Sequence, residues 1–582
     1  MTDATTHTPP GGRARHPGAW VAIAVIAYVV AALLWTLPEW LSPHRLVGET
    51  ADALQWAWAT EWVPFALSHG LNPLYTTYLN APHGWSTLWP EPPFLYDLAV
   101  WPATALWGPG AGYNLTTVLA IASSAAACFA LLGRWTSRTW MRLAGGAGFA
   151  FCPYVVSEAA AGHPTLMAVA AVPLMLLVLD EMWVRQRWRP RTVGLLLGLV
   201  GLAQLLTAEE VLVDGVIVAI LGEVTLWVTN CGLGGRSWSY AARAGAWALW
   251  AAPPALALVA YQMLGPGAIH GRVLPSATWS APAASLLLPT SEQFLTAPAI
   301  SAYVYSAFGQ AAELGTYVGV PMLAILGWTS FRFSDVRSRW LVTMVLLLMV
   351  LTLGPSASLM VIHHHVHVPL PEALLAHVPL VGDLLPVRLA VFLDLFCVLL
   401  AVHWIEHVLP GRQRVPALVL AAVTIVAWIP VLTANSLTLA TPAFFVKAAA
   451  GTAARAGETD LILPYAWGPG AAYAMLWQAS SDMRFRMPEG YGTRKPWGSG
   501  GNVDGPSLRG FASTLVSLEA HGAAPDLNAA RRQRGIRYLA HDQIRQVVLV
   551  PSPHALATKA YITQLLGHPP VVTGGVWLWR LG

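Results

Sequence analysis

Acidic, imidazole and phenolic side chains recur at the edges of apolar stretches in this chain of 582 residues. An ionised carboxylate at such a boundary is costly unless something pairs or uses it. Glu49 and Asp52, in GETADALQ, stand three residues apart and share a face if the segment is helical. Glu158 and His163 flank the turn in PYVVSEAAAGHPTL, while Glu209 and Glu210 border another apolar run with Asp214 one turn further on. Glu313 and Tyr317 lie one turn apart before a later run. Carboxylates so placed can take a proton from a hydroxyl, and an apolar boundary raises their pKa towards a useful range. His163, Arg272 and Arg388 are the groups that could steady a departing anion on the same side. In HHHVH, four imidazoles (His363, His364, His365 and His367) crowd together. That spacing is not one of a known zinc motif, so no metal ligand is assigned there. GGAG at 145 sits inside an apolar run rather than after a strand, which argues against a P-loop and a nucleotide-sugar donor.

The elements that must position these residues are membrane spans. A mean hydropathy of +0.53 with 11% charged residues excludes a soluble globular protein. Roughly eleven apolar stretches between residues 18 and 435 are each long enough to cross a hydrocarbon core of about 30 Å. With the N-terminus inside beside Arg13 and Arg15, alternating sides puts sixteen Arg residues on inner loops and only Arg45, Arg272 and Arg388 on outer ones. That is a strong positive-inside bias, and it predicts a cytoplasmic N-terminus and a multi-pass plasma-membrane protein. The net charge of +4 averages these two faces and gives no warrant for nucleic-acid binding. Cys128, Cys152, Cys231 and Cys397 lie in or beside apolar spans, which suggests neither a disulfide framework nor a zinc site. The stretch from about Trp20 to Leu37 reads as an uncleaved signal anchor.

Residues 1–17 are thus expected to be a cytoplasmic tail and 18–435 a transmembrane domain with long outer loops at 38–110, 264–315 and 356–386. Residues 93–109 would place Arg134, Arg138 and Arg142 outside if they spanned, so a re-entrant or interface-lying segment is expected there. Ala51 to Ser68 has helical apolar spacing and is expected to lie flat in the headgroup region. The Trp residues of this loop (Trp56, Trp58, Trp62, Trp85 and Trp89) read as interfacial anchors, with sugar stacking as the alternative. Beyond Asn435 polar residues return and 14 of the 33 basic residues occur. Residues 436–582 are predicted to form an extracytoplasmic α/β domain, with β-like runs at 460, 536 and 575 and helices at 511 and 562. Its DMRFRMPEGY segment points to contact with the membrane part.

A first span followed by a carboxylate early in a long outer loop resembles the GT-C superfamily of polytopic glycosyltransferases. GETADALQWAW, ALSHGLNPLYTTYLNAPHG, GYNLTT, FAFCPYVVSEAAAGHPTL, LLTAEE, ELGTYVGVP, LLPVRLAVF and MLWQASSDMRFRMPEGY resemble, in order, a group of actinobacterial membrane proteins of that class. The resemblance implies a GT-C-like α-helical polytopic fold and an outward-facing site. It also implies a polyprenyl-phosphate-linked sugar donor and an envelope glycan, glycolipid or protein acceptor. The superfamily's first-loop acid is usually Asp; the matching position here is Glu49, with Asp52 second, and either can be the base. His163, Glu209, Glu210, Arg272, Glu313, Tyr317 and Arg388 are the candidate substrate-binding residues. No cofactor is required by the resemblance, and a divalent metal is compatible with it. A catalytically silent envelope-assembly scaffold and a transporter or flippase of a lipid-linked substrate are the competing readings.

Overall fold

The computed structural model describes residues 17–89, 91–230, 235–270, 276–308, 313–361, 364–370, 373, 385–446, 457–465, 472–492, 510–523 and 526–581. Among the described residues, six helices are long and apolar enough to cross a membrane: Gly18–Trp35, Pro109–Leu132, Pro164–Arg185, Glu209–Thr229, Trp238–Leu264 and Pro386–Val408. Shorter apolar helices, Pro190–Leu205 and Arg414–Trp428, lie beside them. Thr139–Ala150, Pro153–Ala161, Val320–Arg332 and Val336–Thr352 complete the bundle. Pro386–Val408 is the most enclosed of the six and forms the bundle's axis. Peripheral helices instead expose Ile26, Leu34, Ile220, Trp227, Val419 and Ile425, the side chains that a hydrocarbon phase would solvate.

Local sequence sets the breaks. Cys152 is extended and Pro153 takes the first helical position, so the chain restarts a helix there instead of continuing from Ala150. Gly162 then ends that helix in a left-handed conformation. Asp335 caps Val336–Thr352 by accepting from the Ser338 backbone N–H at 3.1 Å. Small residues let two helices meet closely: a Cβ on Gly194 would lie 2.1 Å from the Ala244 carbonyl oxygen, and one on Gly198 would lie 2.7 Å from Trp250 Nε1.

The first long loop departs from its expected placement. The Asp52–Ser68 helix is not laid flat at an interface; it is buried on most sides against Phe94–Trp107, Pro109–Leu132 and Tyr473–Ser480. Trp56, Trp58, Trp62 and Trp85 are accordingly core side chains rather than exposed anchors or sugar platforms. Trp58 Nε1 donates to Gln478 Oε1 at 2.7 Å and Trp62 Nε1 to the Pro73 carbonyl at 3.1 Å, which satisfies those two indole N–H groups inside. Phe94–Trp107 is a helix of 14 residues, too short for the roughly 20 needed to span.

After the bundle, a four-stranded sheet has the order Thr459–Leu463, Ile544–Leu549, Val576–Arg580, Val571–Thr573. The first pair is parallel and the others antiparallel. Phe511–His521, Ala529–His541 and Ala555–Leu566 pack with it around Leu515, Leu539, Leu565 and Trp579. The run at 536 is helical, contrary to its expected strand character. Asn528 caps that helix by accepting from the Arg531 N–H; Gly535 and Leu539 are buried, and Tyr538 packs inward against Phe511. Arg45–Val47 pairs antiparallel with Ser436–Thr438, tying the start of the first loop to the chain beyond the last bundle helix.

Steric crowding at Gly194 yields a direct test. Gly194→Leu should lower the unfolding free energy by about 1–3 kcal/mol through overpacking. Gly201→Ala, where nothing lies within 4 Å of the added Cβ, should be neutral or stabilising by up to about 1 kcal/mol. Thermal unfolding in detergent reads both, and equal effects would contradict the packing described.

Candidate functional site

One end of the bundle collects charged side chains from five separate segments. Val47 is held first: Tyr113 Oη donates to its carbonyl at 2.9 Å, and its N–H donates to Asn114 Oδ1 at 3.1 Å. The GYNLTT block therefore fixes the strand that precedes the acids. Next, Gly48 and Gly162 meet face to face. Both have positive φ; a Cβ on Gly48 would lie 2.9 Å from Gly162 Cα, and one on Gly162 would lie 2.8 Å from the Ala53 nitrogen. The Glu49 N–H donates to the Ala160 carbonyl at 2.8 Å, and Thr50 Oγ1 donates to the Ala161 carbonyl at 2.5 Å. This docking puts Asp52 beside His163.

His163 is the hub. Its Nε2 lies 2.8 Å from Asp52 Oδ2, and its Nδ1 lies 2.9 Å from Glu158 Oε2 and 3.6 Å from Glu313 Oε1. Arg388 continues the chain, with Nη2 donating to Glu313 Oε2 at 2.9 Å and Nη1 paired with Glu210. On the other flank Tyr491 Oη donates to Asp52 Oδ1 at 2.6 Å. Tyr491 comes from the segment beyond the bundle, which the sequence reading marked only through DMRFRMPEGY. Its hydroxyl had no sequence signal of its own, since partner and donor are 439 positions apart.

Electrostatics separate the roles. Burial alone would raise the Asp52 pKa, but hydrogen bonds and charge from His163, with the Tyr491 hydroxyl, outweigh it and hold the carboxyl below its free value of 3.8. The rise expected from an apolar boundary is therefore reversed by specific partners. Burial would lower the His163 pKa, yet Glu313, Asp52 and Glu158 together raise it well above 6.5. Asp52 keeps about a quarter of its side chain accessible, 26%, against 9% for His163 and 1% for Glu158. Glu210 at the far end is equally accessible but is paired directly with Arg388, so Asp52 is the reachable acid on the His163 side of the network. Glu313 adopts φ of +64°, a conformation few non-glycine residues hold and one that clusters at functional sites.

Other expected site residues fall elsewhere. Glu49 is exposed and stands apart from the His163 network, near Glu292. Glu209 turns away from its neighbour Glu210: it accepts from Gln262 Nε2 at 2.6 Å, and its backbone N–H donates to Glu91 Oε2 at 2.8 Å. Tyr317 is buried against Gly319 and is not bonded into the network among the described residues. Arg272 lies outside the described residues. Part of the HHHVH tract also lies outside them; His364 to His367 belong to an antiparallel hairpin with Ser356–Val361. Glu158, His163 and Glu313 present ligand atoms all within 4.8 Å of one another, a spacing compatible with one divalent ion.

The architecture is similar in fold to solved GT-C-type polytopic membrane glycosyltransferases. Among solved structures, two cryo-EM structures of the arabinofuranosyltransferase AftD from mycobacteria, one of them a point mutant, match 97% of this chain. The mutant aligns with a TM-score of 0.53 at 17% identity and the unmutated form with 0.51 at 18%. An archaeal oligosaccharyltransferase, AglB from Archaeoglobus fulgidus, matches 92% of the chain at 12% identity with a TM-score of 0.47. The chain spans only about two fifths of AftD, 41% and 40% in the two structures. No family model and no curated protein matches the sequence.

Removing the hub should leave buried acids uncompensated, so His163→Gln should lower the unfolding free energy by about 3–5 kcal/mol. The sign with pH follows from both partners. With its folded pKa raised, His163 contributes fully below pH 6.5 and loses that contribution only as pH climbs through the raised value. With its folded pKa lowered, Asp52 contributes above pH 3.8 and loses it as pH falls through the lowered value. The native pair is therefore fully formed between pH 3.8 and 6.5. The deficit of the Gln variant should persist across that window and shrink in stronger acid. Thermal unfolding over a pH series checks this, and a variant that melts like the native protein would overturn it.

Proposed function

We propose that this chain is a membrane glycosyltransferase that moves a sugar from a polyprenyl-phosphate donor to a hydroxyl-bearing acceptor on the outer face, with Asp52 as the base. The observation that carries the reading is the accessible, ionised Asp52 carboxylate, oriented by His163 and Tyr491 at the meeting point of five segments. In the transfer, the acceptor oxygen attacks the anomeric carbon as its proton passes to Asp52 Oδ. The bond from that carbon to the phosphate oxygen breaks, and polyprenyl phosphate leaves with the electron pair. A carboxylate held below its free pKa is a weak base, so proton transfer is expected late, as carbon–oxygen cleavage makes the attacking hydroxyl acidic. His163 and Arg388 are the cationic groups next to this centre and would stabilise charge on the departing phosphate.

Four carboxyl groups (Asp52, Glu158, Glu210 and Glu313) face these two cations. That excess of acid would suit a divalent ion held by Glu158, His163 and Glu313 in place of the His163 Nδ1 proton, with Nε2–H still donating to Asp52; the ion, rather than an imidazolium, would then supply Lewis-acid stabilisation to phosphate oxygens beside Arg388. Sidedness is supported by two facts. The Arg134–Glu181 and Arg138–Glu406 pairs join the loops assigned to the inner face by their arginines. The pairing of Arg45–Val47 with Ser436–Thr438 requires an even number of crossings between them, as roughly eleven spans would give. A transporter would use acids deep in the bundle, but Asp394 instead accepts from the Tyr154 backbone N–H at 3.1 Å.

Purified protein in nanodiscs, given a panel of polyprenyl-phosphate sugars and membrane extract as acceptor, should release polyprenyl phosphate. Asp52→Asn should cut that release by about 10²–10⁴-fold, the range for loss of a general base. Glu49→Gln should stay near native. Chelation should suppress release, with Mn²⁺ or Mg²⁺ restoring it. No release from any donor would sink the transferase reading in favour of a scaffold or transporter; loss at Glu49→Gln instead would move the base.

A further inference from the structure

Three side chains that the transferase reading does not use meet at the far end of the axial helix. His403 and His407, one turn apart near the end of Pro386–Val408, face Asp335 at the start of Val336–Thr352. Their ligand atoms all lie within 4.8 Å of one another. By helical rise this cluster is about 22 Å from Arg388, so it is separate from the Asp52 network.

Hydrogen bonding fixes which atoms are available. His407 Nδ1 lies 2.8 Å from the His403 carbonyl, an atom that only accepts, so Nδ1 carries the proton and Nε2 of the neutral ring is bare. Donation from the second ring N–H to a backbone carbonyl is how metal-binding imidazoles are oriented. Ser338 Oγ lies 2.5 Å from Asp335 Oδ2 and 2.8 Å from His403 Nε2. A carboxylate only accepts, so the hydroxyl proton points to Asp335 and His403 Nε2–H donates to the hydroxyl. That imidazole proton occupies the direction a metal ion would take, with Asp335 Oδ1 3.8 Å away. The rings are walled by Trp135 against His403 and Phe333 against His407. Arg337 lies over Trp135, its guanidinium carbon 5.6 Å from the ring centre, rather than pairing with Asp335. His403 is buried, while Asp335 and His407 are exposed, which leaves an entry path for an ion.

We propose that Asp335, His403 and His407 form a transition-metal site that takes a zinc-class divalent ion, with water completing its coordination. Two imidazoles and one carboxylate on facing elements are an ordinary ligand set for such an ion. The ion displaces one proton from His403 Nε2 and frees Ser338 from that contact. It clamps the turn before Val336–Thr352 to the end of the axial helix. This inference does not rest on the transferase reading.

Full-length protein in detergent, stripped with chelator, would be titrated with Zn²⁺ by calorimetry and with Co²⁺ by visible absorption. The native chain should bind one equivalent more than His407→Ala, so ions held by other histidines cancel in the difference. Asp335→Asn keeps a good helix cap and should therefore melt like the native apo-protein while binding Zn²⁺ at least about tenfold more weakly. Equal stoichiometry and affinity in the native chain and His407→Ala would overturn the proposal. If His407→Ala fails to fold, unchanged Zn²⁺ affinity in Asp335→Asn would do the same.

Discussion

Buried charge must be paired, and that requirement organises the site end of this molecule. Isolated, each of Asp52, Glu158, Glu210, Glu313, His163 and Arg388 would meet a desolvation penalty of several kcal/mol. Linked as acid, imidazole, acids, guanidinium, acid, they compensate one another along a continuous path. Because these six members come from five separate segments, Glu158 and His163 sharing one, the path also fixes those segments relative to one another. The apolar helices could slide or rotate at small cost within a lipid phase. The polar path cannot, since a shift of one member strands the next without a partner.

Two glycines make that path possible. The carboxylate of Asp52 reaches His163 only because the loop at Gly48 presses on the turn at Gly162 with no side chain between them. The backbone bonds from Glu49 to Ala160 and from Thr50 to Ala161 hold the same contact. Position thus comes from backbone packing and charge from side chains. Separating the two explains why Glu49, three residues away, plays no part in the network: its backbone serves the docking while its side chain turns to solvent.

How much of this was legible in the sequence depended on the kind of signal. Apolar length and Arg asymmetry are properties of each segment alone, so a polytopic helical membrane protein could be read directly, whereas the GT-C likeness rested on the resemblance of short motif blocks. The meeting of His163, Glu210, Glu313 and Arg388 was readable in outline, because alternation places their segments at one depth. Which of two neighbouring acids enters was not. Glu209 and Glu210 differ only in direction around a helix, and Glu49 and Asp52 only in where the helix begins. The Asp52–Ser68 helix was misplaced for a related reason. Its aromatic residues suit either an interface or a core, and only tertiary partners such as Gln478 and Pro73 decide. Ile536 shows the limit in the tail, where a short apolar alternation was outweighed by the Asn528 cap.

Those same tertiary partners bind the region beyond residue 435 into the site. The Met487 N–H donates to the Tyr78 carbonyl, the Ala81 N–H to Met487 and the Asn80 N–H to Glu489, so a strand-like stretch of the tail runs along the first loop. Gln478 adds side-chain bonds to Trp58, Tyr78 and Phe485. Buried residues from Ala472 to Tyr491 belong to the same hydrophobic cluster as the bundle. Tyr491 therefore reaches Asp52 from a buried backbone course that is hydrogen-bonded to the first loop. The carboxylate is bracketed by His163 from the bundle and Tyr491 from the tail, and its orientation depends on both. A site built this way is completed only when the tail is docked, which makes the docked tail part of the site rather than a cover over it.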